Sequence, residues 1–332
     1  MAHLYLTEQG AVLRKTGDRL IVLKDDRILL DVPCNKIDAV LIFGNVQFTT
    51  QAVHELFEHG IEMAILSQRG RLLGQLTSPA TKNIELRLAQ FKRYFDHGFR
   101  LRVGKSIVQA KAENSVRIMR SFSTNHPEKG LETEINNICA LAKSIPAAET
   151  IPALLGIEGS VARHYFQGFS RMILSDLPFD GRRKRPPPDP VNALLSFSYT
   201  LVFNEISSLL DGLGFDPFLG YLHEPDYGRP SLASDLIEEF RAILCDRLTL
   251  YLVNNRILQT GDFYSNPKGG VYLNQEAMKR YFAEYEHFLT REFRHPVTNE
   301  TTSFRRCFRL QAEEMARGVR EDGLYRPLLF TD

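Results

Sequence analysis

The stretch RLLGQLTSPATKNIELRLAQFKRYFDHGFRLRVGKSIVQA, residues 71–110, contains the change of pattern that decides the fold. Arg71–Leu76 reads as a strand, and Thr77-Ser78-Pro79-Ala80 interrupts it as a linker would. Beyond that break the apolar period lengthens from two residues to about 3.6. Leu86, Leu88, Phe91, Phe95, Leu101, Ile107, Val108 and Val116 fall on long amphipathic helices.

Upstream of the break the pattern is that of short strands. Leu20–Leu23, Ile28–Val32 and Ala39–Phe43 are rich in Val, Ile and Leu and are separated by polar turns such as Thr16-Gly17-Asp18. One short helix interrupts them: Thr49 or Thr50 serves as N-cap, Val53, Leu56 and Phe57 share a face, and Gly60 stands where a C-terminal cap belongs. Ile61–Leu66 resumes the strands. Downstream, helices are expected at about 133–144, 151–174, 190–212, 231–258, 274–292 and 303–319, with strand candidates nearly absent. The fold class is therefore α+β with two domains. Residues 1–76 form an N-terminal β-rich domain with one short helix, 77–85 a linker, and 86–332 an all-α domain that carries the active site.

A chain of 332 residues exceeds one typical domain, and 43% hydrophobic with 24% charged residues is ordinary for a globular protein. The net charge of +1 means that any basic surface must be local. Lys82 to Arg120 carries ten Lys or Arg against three acids, and Arg182, Arg183, Lys184 and Arg185 follow in a Pro-rich, extended loop ending at Pro188. Such clusters attract phosphate backbones by counterion release, although long basic side chains also simply solvate helix faces. The four cysteines (Cys34, Cys139, Cys245, Cys307) form no CxxC pair and read as buried thiols in a reducing compartment. MAHLYLTEQG has neither a basic n-region nor an apolar h-region, and no stretch approaches about 18 uncharged apolar residues. A cytoplasmic protein with no membrane association is expected. No GxxxxGK[ST] or strand-linked GxGxxG is present, which sets nucleotide-binding enzymes aside.

Three segments of the second domain offer chemistry. Glu158 lies in LLGIEGSVARHYFQGF, with Gly156 and Gly159 removing bulk on either side. His223 lies in the polar connection GYLHEPDYGRPSLASDL. Asp235 and Glu238 follow Ser231, an expected N-cap, and their i, i+3 spacing sets two acids on one helix face. Read singly, each also fits a structural role: Glu158 as a helix-start acid, His223 as a hydrogen-bonded loop residue, Glu238 as the surface partner of Arg241. Together they supply an imidazole and three carboxylates, an oxygen-rich set suited to Mg²⁺ or Mn²⁺ rather than zinc.

At these same residues the chain resembles the CRISPR-associated protein one family, the integrase of the adaptation module. The likeness is carried by GIEGSVARHYF around Glu158, NALLSFSYTLVFNEI (Asn192–Ile206), GYLHEPDYGRPSLASDLIEEFR (Gly220–Arg241), GGVYL (Gly269–Leu273) and, in the first domain, FGNVQFTTQAVHELFEHGIEMAILSQRGRLLG (Phe43–Gly74), in the expected order over essentially the whole chain. The resemblance implies that Glu158, His223 and Glu238 ligate one Mg²⁺ or Mn²⁺ and that Asp235 is a further acid beside the catalytic site. Glu238 stands where the family often has aspartate, and its extra length would alter the ion's position or denticity. Tyr165 and Tyr199 match positions near the helical core, with packing or DNA contact as their role. The implied activity is insertion of short DNA fragments into a CRISPR array by 3′-hydroxyl transesterification, with endonuclease activity when water is the nucleophile. Double-stranded DNA, a homodimer through the β-domain and a dimer of CRISPR-associated protein two are the implied partners. A transposase-like integrase of the same fold acting outside CRISPR, or a non-catalytic DNA-binding scaffold, are the alternatives.

Overall fold

The computed structural model describes residues 2–68, 70–76, 83–184, 186–267 and 269–330. Backbone contacts divide the chain into two compact units, Met1–Ala80 and Thr81–Asp332. The expected linker at Thr77–Ala80 and the basic residue Arg185 lie outside the described residues. Ile84 and Glu85, expected in the linker, instead open the first helix of the second unit.

The first unit comprises β1 (Ala2–Leu6), β2 (Val12–Thr16), β3 (Arg19–Lys24), β4 (Arg27–Pro33), β5 (Ile37–Phe43), β6 (Gln47–Phe48), α1 (Thr50–Glu58), β7 (Glu62–Leu66) and β8 (Leu72–Leu76). They build two four-stranded sheets, ordered β1-β5-β7-β8 and β4-β3-β2-β6. In the first sheet β1, β5 and β7 run parallel and β8 closes it antiparallel. In the second, Leu13, Leu20 and Val22 turn into a common core with Val40, Ile42 and Met63 of the first. The Thr49 hydroxyl caps α1 by accepting the Ala52 amide, and Gly60, at φ +64°, lets the chain leave the helix. Strand β4 lies at a sheet edge with Ile28 and Leu29 exposed to solvent.

The second unit holds α2 (Ile84–Tyr94), α3 (His97–Asn125), α4 (Glu132–Ser144), α5 (Ile151–Met172), α6 (Pro190–Leu213), α7 (Ser231–Phe240), α8 (Arg247–Asn254), α9 (Gln275–Thr290) and α10 (Phe304–Glu321). Two small antiparallel ladders accompany them: β9 (Phe263–Ser265) with β10 (Val271–Leu273), and β11 (Phe293–Arg294) with β12 (Thr301–Thr302). The first of these contains the GGVYL run, so this unit is helical rather than strictly all-α. The sequence pattern predicts a single helix over 231–258. The structure instead breaks it with a π-helical turn, Arg241–Asp246, which a search at one fixed helical period does not register.

The central helix is α6. By length and hydropathy it could cross a membrane, but 61% of its most apolar window is buried against the rest of the unit. Val191, Leu194, Leu195, Val202 and Leu210 are all inaccessible. Asp189 caps its start through the Asn192 amide, and Gly214, at φ +102°, ends it and begins the loop that carries His223. Truncating Leu13, fully buried in the first unit, is expected to cost about 2–5 kcal/mol through lost burial and the cavity left behind. Urea denaturation of Leu13→Ala, with an unchanged slope and a lower midpoint, is the measurement.

Candidate active site

The segment between α6 and α7 is built around one buried carboxylate. Asp235, in the second turn of α7 and completely inaccessible, accepts the amides of Tyr221 (2.6 Å), Leu222 (3.0 Å) and His223 (2.9 Å). Its Oδ1 also meets His223 Nδ1 at 2.7 Å. An imidazole held this way donates its Nδ1 proton to the carboxylate and keeps Nε2 as an acceptor. Asp235 and Glu238 therefore have separate roles, because all the bonds of Asp235 are turned toward the loop.

Other contacts clamp the loop on both sides of His223. Tyr221 and Leu222 are buried, and Arg100 of α3 donates to Tyr221 O and to the Glu224 carboxylate at 2.7 Å. Gln90 of α2 donates to Asp216 O and Leu219 O and accepts the Asp216 amide. Gly220 permits the close approach: a Cβ there would lie 2.7 Å from the Ser231 carbonyl carbon and 2.9 Å from Asp235 Oδ2. Ser231, the expected N-cap, makes no cap bond. It is the first residue of α7, and its hydroxyl donates to Glu224 O, tying the loop down instead.

Glu158 sits well inside α5, beyond its first turn, which removes the helix-start explanation. A Cβ at Gly156 or Gly159 would meet nothing within 4 Å. The two glycines thus leave open space near the carboxylate without packing demanding them. Glu238 is 3% exposed and is therefore no surface partner of Arg241, although the two do pair at 3.0 Å. Its second oxygen faces the Lys111 ammonium at 2.6 Å, and the same ammonium pairs with Glu158. Burial opposes ionisation of Glu238, but Arg241 and Lys111 outweigh it and hold the carboxyl down to about 2. Burial likewise opposes the charge on Lys111, and Glu238 and Glu158 overcome it.

Glu158, His223, Glu238 and Lys111 all line one cavity of about 670 Å³. Among the described residues no three His, Cys, Asp or Glu side chains stand close enough to hold a metal. Lys111 instead bridges two of the acids. Chemically the set still fits a divalent ion: two carboxylates already share one cation, and an imidazole offers a free Nε2 with its other nitrogen committed. Arg182 and Lys184 of the basic loop line the cavity, whereas Arg183 is exposed and pairs with Asp180. Tyr165 and Tyr199 line it too. Sequence reasoning missed Lys111 and Asp246 as site residues. The signals were a lysine on the face of α3 that also carries Ile107, Val108 and Ser115, and an aspartate inside the apolar run AILCDRLTL.

The family model described as CRISPR associated protein Cas1 matches residues 4–287. The chain belongs to the Cas1 family. A CRISPR-associated endonuclease Cas1 of Chlorobaculum tepidum is 32% identical over 98% of this chain and 98% of its own length. A CRISPR-associated exonuclease Cas4/endonuclease Cas1 fusion of Geobacter sulfurreducens is 34% identical over 95% of this chain, which spans 57% of that longer protein. Among solved structures, a Cas6-RT-Cas1–Cas2 complex matches 99% of this chain and 36% of the other chain, with a TM-score of 0.82 at 26% identity. A casposase bound to integration product has a TM-score of 0.87 at 22% identity over 99% of this chain and 94% of its own, a likeness of fold.

Lys111→Met is expected to lower stability at neutral pH by about 3–5 kcal/mol, because the buried Glu238 and the partly buried Glu158 lose their shared cation. The depressed Glu238 contributes stability above about pH 4.5 and loses it as pH falls through about 2. The difference between variant and parent therefore shrinks on acidification, as urea melts between neutral and acidic pH will report.

Proposed function

We propose that this Cas1 protein is a metal-dependent DNA integrase and endonuclease of CRISPR adaptation, and that Glu158, His223 and Glu238 hold its ion. The observation that carries the reading is the convergence of those three donors on one cavity, with His223 locked by Asp235 in the tautomer that a metal ligand needs. Mg²⁺ or Mn²⁺ is the ion suited to two carboxylates and one imidazole. When bound, it supplies Lewis-acid polarisation of a phosphoryl oxygen.

The chain's own residues do the rest. The 3′-hydroxyl oxygen of a short DNA fragment loses its proton to solvent and forms a bond to phosphorus at the edge of a repeat, while the phosphorus bond to the repeat strand's 3′ oxygen breaks and that oxygen takes up a proton. The count of phosphodiester bonds is conserved. Water in place of the hydroxyl gives hydrolysis, the endonuclease reaction in the relatives' names. Lys111, lining the same cavity, offers positive charge to the non-bridging oxygens, where charge builds as the bond order changes. Asp235 is a positioning residue that acts through His223, and Arg182 and Lys184 bring phosphate-binding charge from the basic loop.

The partners follow from the family. Double-stranded DNA is the substrate, and a Cas2 dimer is the protein partner, in keeping with the Cas1–Cas2 assembly among the structural matches. A homodimer through the first unit is supported by the exposed Ile28 and Leu29 on edge strand β4, since unpaired strand edges recruit further strands. The protein works in the cytoplasm, where its DNA substrates are. The casposase likeness is one of fold, and the family match over residues 4–287 favours the CRISPR reading over a transposase outside it.

Joining of a labelled fragment to supercoiled DNA in Mn²⁺ is expected to be abolished by Glu158→Ala and by His223→Ala; unchanged joining in Glu158→Ala would overturn the assignment. Asp235→Asn retains bulk but frees the imidazole. Its Mn²⁺ affinity, read by calorimetry or electron paramagnetic resonance, is expected to fall about 10–100-fold.

A further inference from the structure

The cavity contains a second group of side chains that the ion-binding set does not use: Arg182, Lys184, Tyr199, Arg241 and Asp246. The guanidinium carbons of Arg182 and Arg241 stand 5.2 Å and 4.7 Å from the centroid of the same Tyr199 ring. A phenol ring attracts each cation through its quadrupole but neutralises neither. The Tyr199 hydroxyl donates to Asp246 Oδ1 at 2.5 Å, which fixes the ring from its far end. Arg241 and Asp246 are the first and last residues of the π-helical turn, and its i→i+5 spacing brings both to the cavity.

Both guanidinium groups are partly tied down. Arg182 donates from one terminal nitrogen to Asn192 Oδ1 (3.0 Å) and to the Arg183 carbonyl (2.7 Å), and Arg241 pairs with Glu238. Their Nε–H groups are nevertheless buried, and each lacks a hydrogen-bond partner. Native structures seldom leave a charged donor buried and unmet. Lys184 lines the same cavity and adds a third cation to the two guanidinium groups. Cations have been gathered here in excess of the acids that face them.

We infer that Arg182 and Arg241, stacked on Tyr199, form a subsite for a DNA phosphate other than the one at the scissile bond. The inference rests on the strand-transfer reading above and extends it to a site outside the ion ligands. Guanidinium forks are suited to such a subsite because they stack on an aromatic face and still present parallel donors to phosphate oxygens, which an ammonium cannot do. Tyr199 is the positioning residue. It carries no charge to the phosphate and sets the spacing of the two groups that do.

The test is binding of a labelled DNA duplex in EDTA, followed by fluorescence anisotropy over a range of KCl concentrations. For the parent protein, log Kd is expected to rise linearly with log salt. Arg182→Gln weakens binding at low salt and reduces the slope by about 0.9, the value for one lost phosphate contact on duplex DNA. Tyr199→Leu, which removes no charge, reduces the slope similarly because the stack is lost, whereas Tyr199→Phe keeps the ring and keeps the slope. A purely structural tyrosine would leave all the slopes alike. Slopes unchanged in both Arg182→Gln and Tyr199→Leu, with melting temperatures confirming folded protein, overturn the inference. Arg182→Gln, a loop substitution, decides alone should Tyr199→Leu not fold. Failure of the parent to bind DNA at all overturns the strand-transfer reading itself and is thereby distinguished.

Discussion

A single buried carboxylate organises the loop that carries His223 in this Cas1 protein. Asp235 has no access to solvent, and what keeps it there is a set of donors: three consecutive amides from Tyr221 to His223 and the imidazole of the last. Without them the burial of a charged group in α7 would be strongly unfavourable. With them, the loop after α6 has one place to lie, and His223 has one tautomer and one orientation. Gly220 is the steric condition for that arrangement, and Gln90 and Arg100 are its buttresses. Rigidity at His223 is thus supplied by residues outside the proposed ligand set.

Electrostatics then divides the cavity in two. On one side Glu158 and Glu238 both pair with Lys111, with Arg241 sharing Glu238. This is a site prepared for positive charge, already occupied by the protein's own. On the other, Arg182 and Arg241 crowd one aromatic ring with donors to spare. Arg241 belongs to both sides. A DNA strand lying across the cavity would meet the proposed ion at one phosphate and guanidinium groups at another, and DNA strand transfer needs both, because the same polyanion must be gripped and activated.

Much of this is legible from the residues. The shift from alternating to helical periodicity after Leu76 marks the two units, and the helix limits expected near 133, 151, 190 and 274 fall within a few residues of those observed. Glu158, His223 and Glu238, the ligands proposed above, stand out by company rather than by individual character, since each alone suits a structural role. What escapes has a common cause. Lys111 counts as one more surface charge in the sequence, which records a lysine's sign but not the partner across a helix–helix contact. Asp235 reads as a further acid beside the ion because i, i+3 spacing assigns a face and not an acceptor geometry. The π-turn is invisible because periodicity averages over a window longer than the irregularity.

That turn has a consequence for how α7 and α8 relate. They follow one another along the chain through consecutive helical turns, yet the wider turn between them advances the backbone by a different angle per residue, so the two keep different phases. Ser231–Phe240 can thus keep Asp235 and Glu238 aimed at loop and cavity while Leu248, Leu250 and Val253 find a separate packing arrangement. Deleting one residue from Arg241–Asp246 would restore an ordinary helix and rotate one half against the other. Either the ligand helix or its hydrophobic continuation would then face the wrong way. The irregularity works as a coupling between two parts cut to different angular registers, and its length is set by the mismatch it absorbs.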